Sequence, residues 1–237
     1  MQNFFTSCRE MRKNLPRESS VHVHTSLLAM CYPAGERALP ADLTKEVYMK
    51  RKSHKLLGLH LVGQLQDAPK RRHVKAFLLG CTEPDCNPFT YLKGSRTCQW
   101  LRGHNYRNAE SWMERMSGRL AGRENWRVLD YYRLGKLIHY TSDAFTHAHN
   151  ETFRENIRCH RSYEAQLQHC LLSLLTRETG RRTGKTQEGK MTMESVRKAH
   201  RDFMKEVRCV ATDAEYILRM TEQVFGSLIP QPISAEQ

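Results

Sequence analysis

The sequence predicts an all-α protein of six or seven helices, without an internal repeat. Several segments repeat apolar residues with the period of a helix, and no segment alternates apolar and polar residues as a half-buried strand does. Gly and Pro are modest in number, which is typical of a globular chain. With 237 residues, 39% of them hydrophobic, the chain can bury one good-sized core.

The beginning of the chain differs from the rest. Residues 1 to about 45 contain Pro16, Pro33 and Pro40, mix Ser with Arg and show no sustained period. We therefore predict a disordered or loosely attached extension at 1–48, a helical domain at 49–228 and a tail at 229–237. The N-terminus lacks the long apolar region of a secretory signal, and no apolar run approaches the roughly 20 residues of a membrane span. A cytoplasmic location is expected.

Local signals place each helix. Ser53 fits the N-cap of a first helix, 54–66, whose apolar residues go nearly all round it and predict burial. A second helix, 73–80, is predicted to end at its glycine, because the loop 81–88 that follows contains two prolines. The remaining segments are predicted helices at 108–120, 125–148, 162–177 and 192–228, the last being one helix or two with a bend, and a polar surface loop at 179–189.

Two pairs of potential metal ligands share one spacing: His139-x3-Asp143 and His160-x3-Glu164, with His149 between them. On an α-helix, residues four apart lie on one face with Cβ atoms roughly 5–6 Å apart. Each pair can therefore reach one small cation from a single helix. Zinc prefers imidazole nitrogen and carboxylate oxygen, and its catalytic sites keep one position open. The pattern is typical of a hydrolytic metal centre.

The alternative for the first pair is an ordinary solvated face. On a helical wheel the apolar residues of the segment lie within about 60° of Leu134, whereas His139, Asp143 and His147 cluster near the opposite side. A single stripe of this kind would usually face water. The second pair, together with further candidates upstream, favours the metal centre.

Three upstream residues are further candidates. His54 opens the first predicted helix, and its alternative is a satisfied core histidine. Asp85 follows Pro84 in a rigid turn that would position a carboxylate, with helix capping or an Asx turn as its alternative. His104 lies in a loop, where an exposed histidine is the alternative. Eight ligands are too many for one tetrahedral ion and suit two or three: His54, Asp85, His104, His139, Asp143, His149, His160 and Glu164.

Cysteine usage and net charge add two constraints. The eight cysteines are expected to be reduced thiols in a chain without an export signal. Cys81-x4-Cys86 with Cys98 could be imagined as a thiolate metal site, but the spacing fits no usual Cys-x2-Cys pattern. The net charge of +13 favours an anionic partner, whether phosphate, nucleic acid or a lipid headgroup.

These residues resemble the zinc-dependent phospholipase C family, whose fold is shared with the P1/S1-type nucleases. The resemblance covers residues 49–228, and short bacterial members without a signal peptide look most similar. It implies a multi-helix bundle with the metal centre between helices. The matching motifs are Ser53-His54, Pro84-Asp85, Gly135 to Asp143 with His149-Asn150, and His160-x3-Glu164.

The resemblance also implies a set of two, or three, zinc ions. In that family the Asp-x5-His spacing selects His149, whereas helical geometry alone would select His147. The secreted members complete their third site with an N-terminal Trp, which this chain lacks at that position. Carried over by position, the first ion would be held by Asp85, His104, His139 and Asp143, the second by His149, His160 and Glu164, and the third by His54 with a bridging Asp143.

The activity implied is metal-dependent phosphodiester hydrolysis, in which a zinc-activated water attacks phosphorus and Asp85 orients that water or accepts its proton. The substrate would be an anionic phosphodiester, with a phospholipid headgroup favoured. One alternative is a single-strand nuclease on the same scaffold, and another is a helical zinc-binding protein without turnover. The nuclease would need an aromatic platform for a base, for which the candidates are Trp100, Tyr106, Trp112 and Tyr132.

Overall fold

A computed structural model describes residues 41–65, 69–90, 104–153, 157–178, 192–207 and 209–230, which belong to one compact unit, Pro40–Gln237. The described residues form seven α-helices and no strand, which confirms the all-α prediction. The helices are α1 (Ala41–Gly63), α2 (Arg71–Cys86), α3 (Tyr106–Ala121), α4 (Val128–Ala144), α5 (Ile157–Glu178), α6 (Met193–Phe203) and α7 (Val210–Leu228), with short 3-10 helices at Pro88–Thr90 and His147–His149.

Helix α4 is the central element of the described bundle. It packs against α2, α3 and α7, while α1 lies against α2 and α5, and α5 lies against α7. From Leu134 to Ala144, every residue of α4 except Lys136 is buried. The face that carries His139 and Asp143 is therefore inside the protein, not the solvated face that the helical wheel allowed as the alternative.

Helices α2 and α4 touch backbone to backbone where Gly80 crosses Gly135. A Cβ atom on Gly80 would lie 2.1 Å from the carbonyl oxygen of Tyr132, and one on Gly135 would lie 2.1 Å from that of Phe77. No side chain fits in such a space, so glycine is required here for close packing rather than for backbone conformation. This α2–α4 pair is the most extensive helix contact in the described residues.

Several of the predicted helix boundaries are wrong. Helix α1 begins at Ala41, so Ser53 is not its N-cap and His54 lies within the helix. Helix α2 does not stop at Gly80 but continues through Pro84 to Cys86. Glycine at position 80 resembles a helix end in sequence, yet it serves the contact with α4. Proline removes one backbone hydrogen bond, and this loss falls in the last turn, where the helix is about to end.

The predicted helix at 125–148 is also too long, because α4 ends at Ala144. The side-chain amide of Asn150 donates to the carbonyl oxygens of Ala144 and Thr146, both at 3.0 Å. These two bonds replace the donors that a continuing helix would have supplied, so the chain turns into the 3-10 helix. The predicted segment 192–228 forms two helices, α6 and α7, which agrees with the second of the two predicted forms, two helices with a bend.

Some predictions concern residues outside the described ranges. These are residues 1–40 of the predicted extension, the loop at 179–189, residues 231–237 of the predicted tail, and the individual residues Cys98 and Trp100. They stay predictions. Within the described part of the chain, no helix is both long enough and apolar enough to cross a bilayer.

The glycine contact generates a stability prediction. Gly135→Ala should lower the free energy of unfolding by at least about 2 kcal/mol, because the new methyl group forces α2 and α4 apart at a backbone contact. Urea unfolding followed by circular dichroism measures it. Gly118→Ala on α3 is the matched control, since nothing lies within 4 Å of its Cβ position. That control should be neutral or stabilising by up to about 1 kcal/mol. Equal stability of the two variants would contradict the proposed role of the contact.

A second prediction concerns Asp213 on α7, a buried carboxylate that accepts hydrogen bonds from the backbone N–H of His147 at 2.6 Å and from the hydroxyl of Tyr163. Burial raises its pKa from 3.8 to about 7. The folded state therefore binds this proton more tightly than the unfolded state, and the stability that the proton supplies is lost as pH rises from about 4 to 7.

Asp213→Asn has no proton to lose at this position. The difference in free energy of unfolding, wild type minus variant, should fall between about pH 4 and pH 7 and be constant above that range. Urea unfolding of both proteins in EDTA across this range measures the difference, and EDTA keeps metal binding out of the comparison. A difference that stays constant or grows with pH would contradict the assignment.

Candidate metal centre

All eight predicted ligands converge between the helices of the bundle. Seven of them are at most 9% exposed, and the side chain of Glu164 is 16% exposed. They reach the site from α1 (His54), the last turn of α2 (Asp85), the turn before α3 (His104), α4 (His139 and Asp143), the 3-10 helix (His149) and α5 (His160 and Glu164).

The carboxylate of Asp143 lies at the middle of the centre. Its Oδ2 is 3.1 Å from His104 Nδ1 and 3.2 Å from His139 Nε2. Its Oδ1 faces the other way, 3.3 Å from His149 Nδ1 and 3.5 Å from His54 Nε2. One carboxylate therefore contacts four imidazoles from four different segments of the chain.

His149 connects the two pairs that the sequence singled out. Its Nδ1 faces Asp143 and its Nε2 lies 3.1 Å from Glu164 Oε1, while His160 Nε2 lies 3.5 Å from the same oxygen. The rings of His149 and His160 are stacked, with centroids 5.5 Å apart. His-x3-Asp and His-x3-Glu are thus parts of one continuous centre, held in place by two different helices.

Asp85 and His54 complete the centre on the side of α1 and α2. Asp85 Oδ1 is 3.8 Å from both His104 Nδ1 and His139 Nε2, and Asp85 Oδ2 is 3.8 Å from His54 Nε2. The ring of His54 packs against that of His139, with centroids 4.1 Å apart. Asp85 is therefore shared between His54 and the pair of imidazoles around Asp143.

The charges of the centre favour a cation. Burial opposes the ionisation of Asp143, yet the neighbouring imidazoles of His149 and His139 hold its pKa well below the usual range. Burial likewise opposes protonation of His139, but the carboxylates of Asp143 and Asp85 outweigh it and raise its pKa. For His54, burial and the adjacent His139 dominate and lower the pKa to about 4, which leaves a neutral ring. An ionised carboxylate beside a neutral imidazole, as Asp143 and His54 are, is a ligand pair that zinc prefers.

The donor atoms are arranged as metal ligands require. In each of three groups, one ligand atom from every member lies within 4.8 Å of the others, and the first two groups share His139: His54, Asp85 and His139; His104, His139 and Asp143; His149, His160 and Glu164. Asp85 Oδ2 is buried and has no hydrogen-bond partner among the described residues, so it remains an acceptor for a cation or a water molecule. The residues present fit a metal centre.

The backbone of α2 fixes the orientation of His139. Its Nδ1–H donates to the carbonyl oxygen of Cys81 at 2.9 Å. Since a neutral imidazole carries one proton, Nε2 then presents its lone pair to the centre. Metal-binding histidines usually have such a bond on the second nitrogen, because it sets both tautomer and ring plane. The Gly80–Gly135 contact is what brings the two helices close enough to make it.

His147, the residue that helical geometry alone would select, lies in none of these three groups. Its ring packs against Phe153 and Tyr163, and its backbone N–H donates to Asp213. The premise for selecting it is wrong, because α4 ends at Ala144 and the next residues form a 3-10 helix. That turn places His149 beside Asp143.

Residues that the sequence did not reveal hold this turn in place. Asp213 fixes His147, and His200 Nε2 lies 3.0 Å from Asn150 Oδ1. Asn150 was part of the motif, but neither Asp213 nor His200 was singled out. A signal existed for Asp213, because it interrupts an apolar helical face formed by Val210, Ala214 and Ile217 of α7. A carboxylate on such a face is rarely buried without a specific partner.

The thiolate alternative finds no support in the described residues. Burial raises the pKa of the Cys81 thiol, so that it stays protonated, and Cys86 is exposed and donates to the carbonyl oxygen of Thr82. No cysteine of the described ranges belongs to any of the three ligand groups. The five described cysteines are free of disulfide bonds, as expected.

Comparison with known proteins agrees with the site. A sequence profile of the family described as zinc dependent phospholipase C matches residues 53–215, a range that contains all eight predicted ligands and Asp213. No curated protein and no solved structure matches the chain. Since the match covers more than half of the 237 residues, the chain belongs to the zinc dependent phospholipase C family.

Proposed function

We propose that this protein is a zinc-dependent phosphodiester hydrolase of the phospholipase C type, which cleaves the bond between a lipid and its phosphorylated headgroup. Family membership supports a hydrolase that uses zinc. The observation that carries the proposal is the central position of Asp143, whose two oxygens each lie within 3.5 Å of two imidazoles. One carboxylate between two sets of imidazoles is suited to a centre with several closely spaced ions.

These contacts support the ligand sets that the family resemblance implies. Bound zinc would acidify a water molecule and neutralise negative charge on the phosphoryl oxygens. His54 Nε2 lies 3.8 Å from Asp85 Oδ2 and 3.5 Å from Asp143 Oδ1. Either carboxylate can therefore join His54 in a third site. As the resemblance implies, we propose a first site of Asp85, His104, His139 and Asp143, a second of His149, His160 and Glu164, and a third of His54 with Asp143. The second is one of the three close ligand groups, and the first contains another.

Asp85 is the proposed catalytic residue. Its Oδ1 points toward His104 and His139, whereas its Oδ2 makes no hydrogen bond within the described residues. A carboxylate oxygen without a hydrogen-bond partner can orient a water molecule and accept its proton. Because the residue is only 9% exposed, bulk water does not compete strongly for that oxygen.

The substrate we propose is a phospholipid headgroup ester. The net charge of +13 suits an anionic phosphodiester. Two of the described candidates for the aromatic platform of a nuclease, Tyr106 and Trp112, contact neighbouring rings. Tyr106 is stacked on His200 at 3.7 Å, and Trp112 packs edge-on against Tyr140 at 5.1 Å. One face of Tyr106 is therefore covered by a neighbouring ring, which makes it less suited to stack on a base.

The direct test begins with protein purified without added metal. Its zinc content is measured, and release of phosphorylated headgroup is followed from short-chain phosphatidylcholine, with single-stranded DNA assayed in parallel. We expect zinc and headgroup release. Faster cleavage of the DNA would replace the proposal with the nuclease reading. High zinc occupancy with no hydrolysis of either substrate would make the protein a non-catalytic zinc-binding protein.

Asp143→Asn should reduce both bound zinc and activity. The variant keeps the shape of the side chain but removes the charge shared among four imidazoles, and we expect kcat/KM to fall by about 100-fold or more. The matched control is Glu222→Gln, which removes a carboxylate bound to His60 at 2.9 Å away from the centre. The control should keep its zinc. Unchanged zinc and activity in Asp143→Asn would refute the mechanism.

Removing the metal should destabilise the fold. A ligand that binds only the folded state at about 1,000 times its Kd adds about 4 kcal/mol, which for a domain of this size corresponds to roughly 10 °C in Tm. Chelation should therefore lower Tm by about that amount in the wild type and by much less in Asp143→Asn. Thermal unfolding with and without EDTA measures it, with added zinc restoring Tm. An unchanged Tm after the zinc has been removed would exclude a centre that is coupled to folding.

A further inference from the structure

Thr90 is a fully buried residue that belongs to none of the ligand groups. It ends the 3-10 helix Pro88–Thr90, directly after α2. Its hydroxyl oxygen lies 2.8 Å from the carbonyl oxygen of Pro84, 2.6 Å from that of Asn87 and 3.1 Å from His104 Nε2. It is thus the contact between the end of α2 and one of the proposed zinc ligands.

The spacing of two prolines explains why the hydroxyl is needed there. In a continuing helix, the carbonyl oxygen of Pro84 would accept from the backbone N–H four residues later. That residue is Pro88, which has no backbone N–H. A buried carbonyl without a donor costs about 1–3 kcal/mol. The hydroxyl of Thr90 is a donor that this carbonyl oxygen, at 2.8 Å, can share with that of Asn87, at 2.6 Å.

Because the Thr90 hydroxyl donates to a backbone carbonyl oxygen, its oxygen must act as the acceptor toward His104. A hydroxyl has one proton, and carbonyl oxygens can only accept, so the proton of Thr90 points to Pro84 or Asn87. Toward His104 the hydroxyl therefore presents a lone pair. His104 Nε2 must then be the donor in this bond, which places the single proton of a neutral ring on Nε2.

The other ring nitrogen is the one that faces the centre. His104 Nδ1 lies 3.1 Å from Asp143 Oδ2, 3.3 Å from His139 Nε2 and 3.8 Å from Asp85 Oδ1. With the proton on Nε2, Nδ1 carries the lone pair that a metal ion needs. His139 is fixed in the opposite tautomer by Cys81 and presents Nε2 to the same place.

We propose that Thr90 is a positioning residue of the metal centre, which holds His104 as the Nε2–H tautomer and so makes Nδ1 the nitrogen that binds zinc. The inference rests on the proposed function, because it assigns a task within that centre. It adds a residue outside the ligand set and names the ligating atom. Pro88 leaves the carbonyl oxygen of Pro84 without a backbone donor, and the Thr90 hydroxyl lies beside that oxygen. The same hydroxyl accepts the hydrogen bond from His104.

The first test needs no variant. Protein with 15N-labelled histidine and bound zinc should give a two-bond 1H–15N correlation pattern for His104 with a protonated Nε2 and a metal-bound Nδ1. The reversed pattern, with a protonated Nδ1, would overturn the inference whatever the activity of the protein. The His104 signal is assigned by its loss in His104→Gln.

The second test compares threonine variants by zinc affinity, measured by competition with a chromophoric chelator. Thr90→Val has nearly the same shape but no hydroxyl and should bind zinc about 10–100-fold more weakly. Thr90→Ser keeps the hydroxyl and should restore the affinity to within a few-fold of the wild type. Thr221→Val is the matched control, since Thr221 is also fully buried and donates to a backbone carbonyl at 2.6 Å, but belongs to none of the ligand groups.

These outcomes separate the two ideas. Wild-type affinity in Thr90→Val would overturn the role of Thr90 while leaving the proposed function intact. Equal weakening in Thr90→Val and Thr221→Val would reduce the effect to general destabilisation and would also overturn it. A wild-type protein that binds no zinc at all would refute the proposed function itself.

Discussion

The close approach of α2 and α4 is the constraint on which the metal centre depends. Because neither Gly80 nor Gly135 has a side chain, the two backbones touch, and each helix continues past the crossing toward the same region. One turn beyond the crossing on α4, His139 reaches the carbonyl oxygen of Cys81 on α2 at 2.9 Å. One further turn along each helix brings in Asp85 and Asp143. A side chain at the crossing would force the two backbones apart and lengthen the hydrogen bond between His139 and Cys81.

The sequence predicted the parts of this centre that depend on local geometry. Residues four apart on a helix share a face whatever the rest of the fold does, so His139 with Asp143 and His160 with Glu164 were recognisable in advance. The surroundings of these residues could not be predicted in the same way. The face opposite the apolar stripe of α4 is buried because α2 covers it, and that depends on a glycine 55 residues earlier in the chain. The same glycine resembles a helix end when only its neighbours are considered.

The position of His149 depends on contacts between distant residues. Helical periodicity favours His147, and it fails because Asn150 binds the carbonyl oxygens of Ala144 and Thr146 and so ends the helix. Asp213, 66 residues from His147, then holds the turn from the other side. Helices α6 and α7 therefore contribute to the centre without supplying a ligand. Neither contact could be predicted from a local sequence pattern. The Asp-x5-His spacing of the family selects His149 because that spacing reflects the whole fold.

The arrangement of protons indicates why a cation belongs in this centre. The Cys81 carbonyl commits the Nδ1 proton of His139, and the Thr90 hydroxyl, as we infer, commits the Nε2 proton of His104. The two remaining nitrogens, 3.3 Å apart, are then both acceptors, and Asp143 beside them is also an acceptor. Acceptors cannot satisfy one another, and burying them together costs several kcal/mol unless a positive charge lies between them. A proton on His139 supplies part of this positive charge. A divalent ion would supply it to His139, His104 and Asp143 at once.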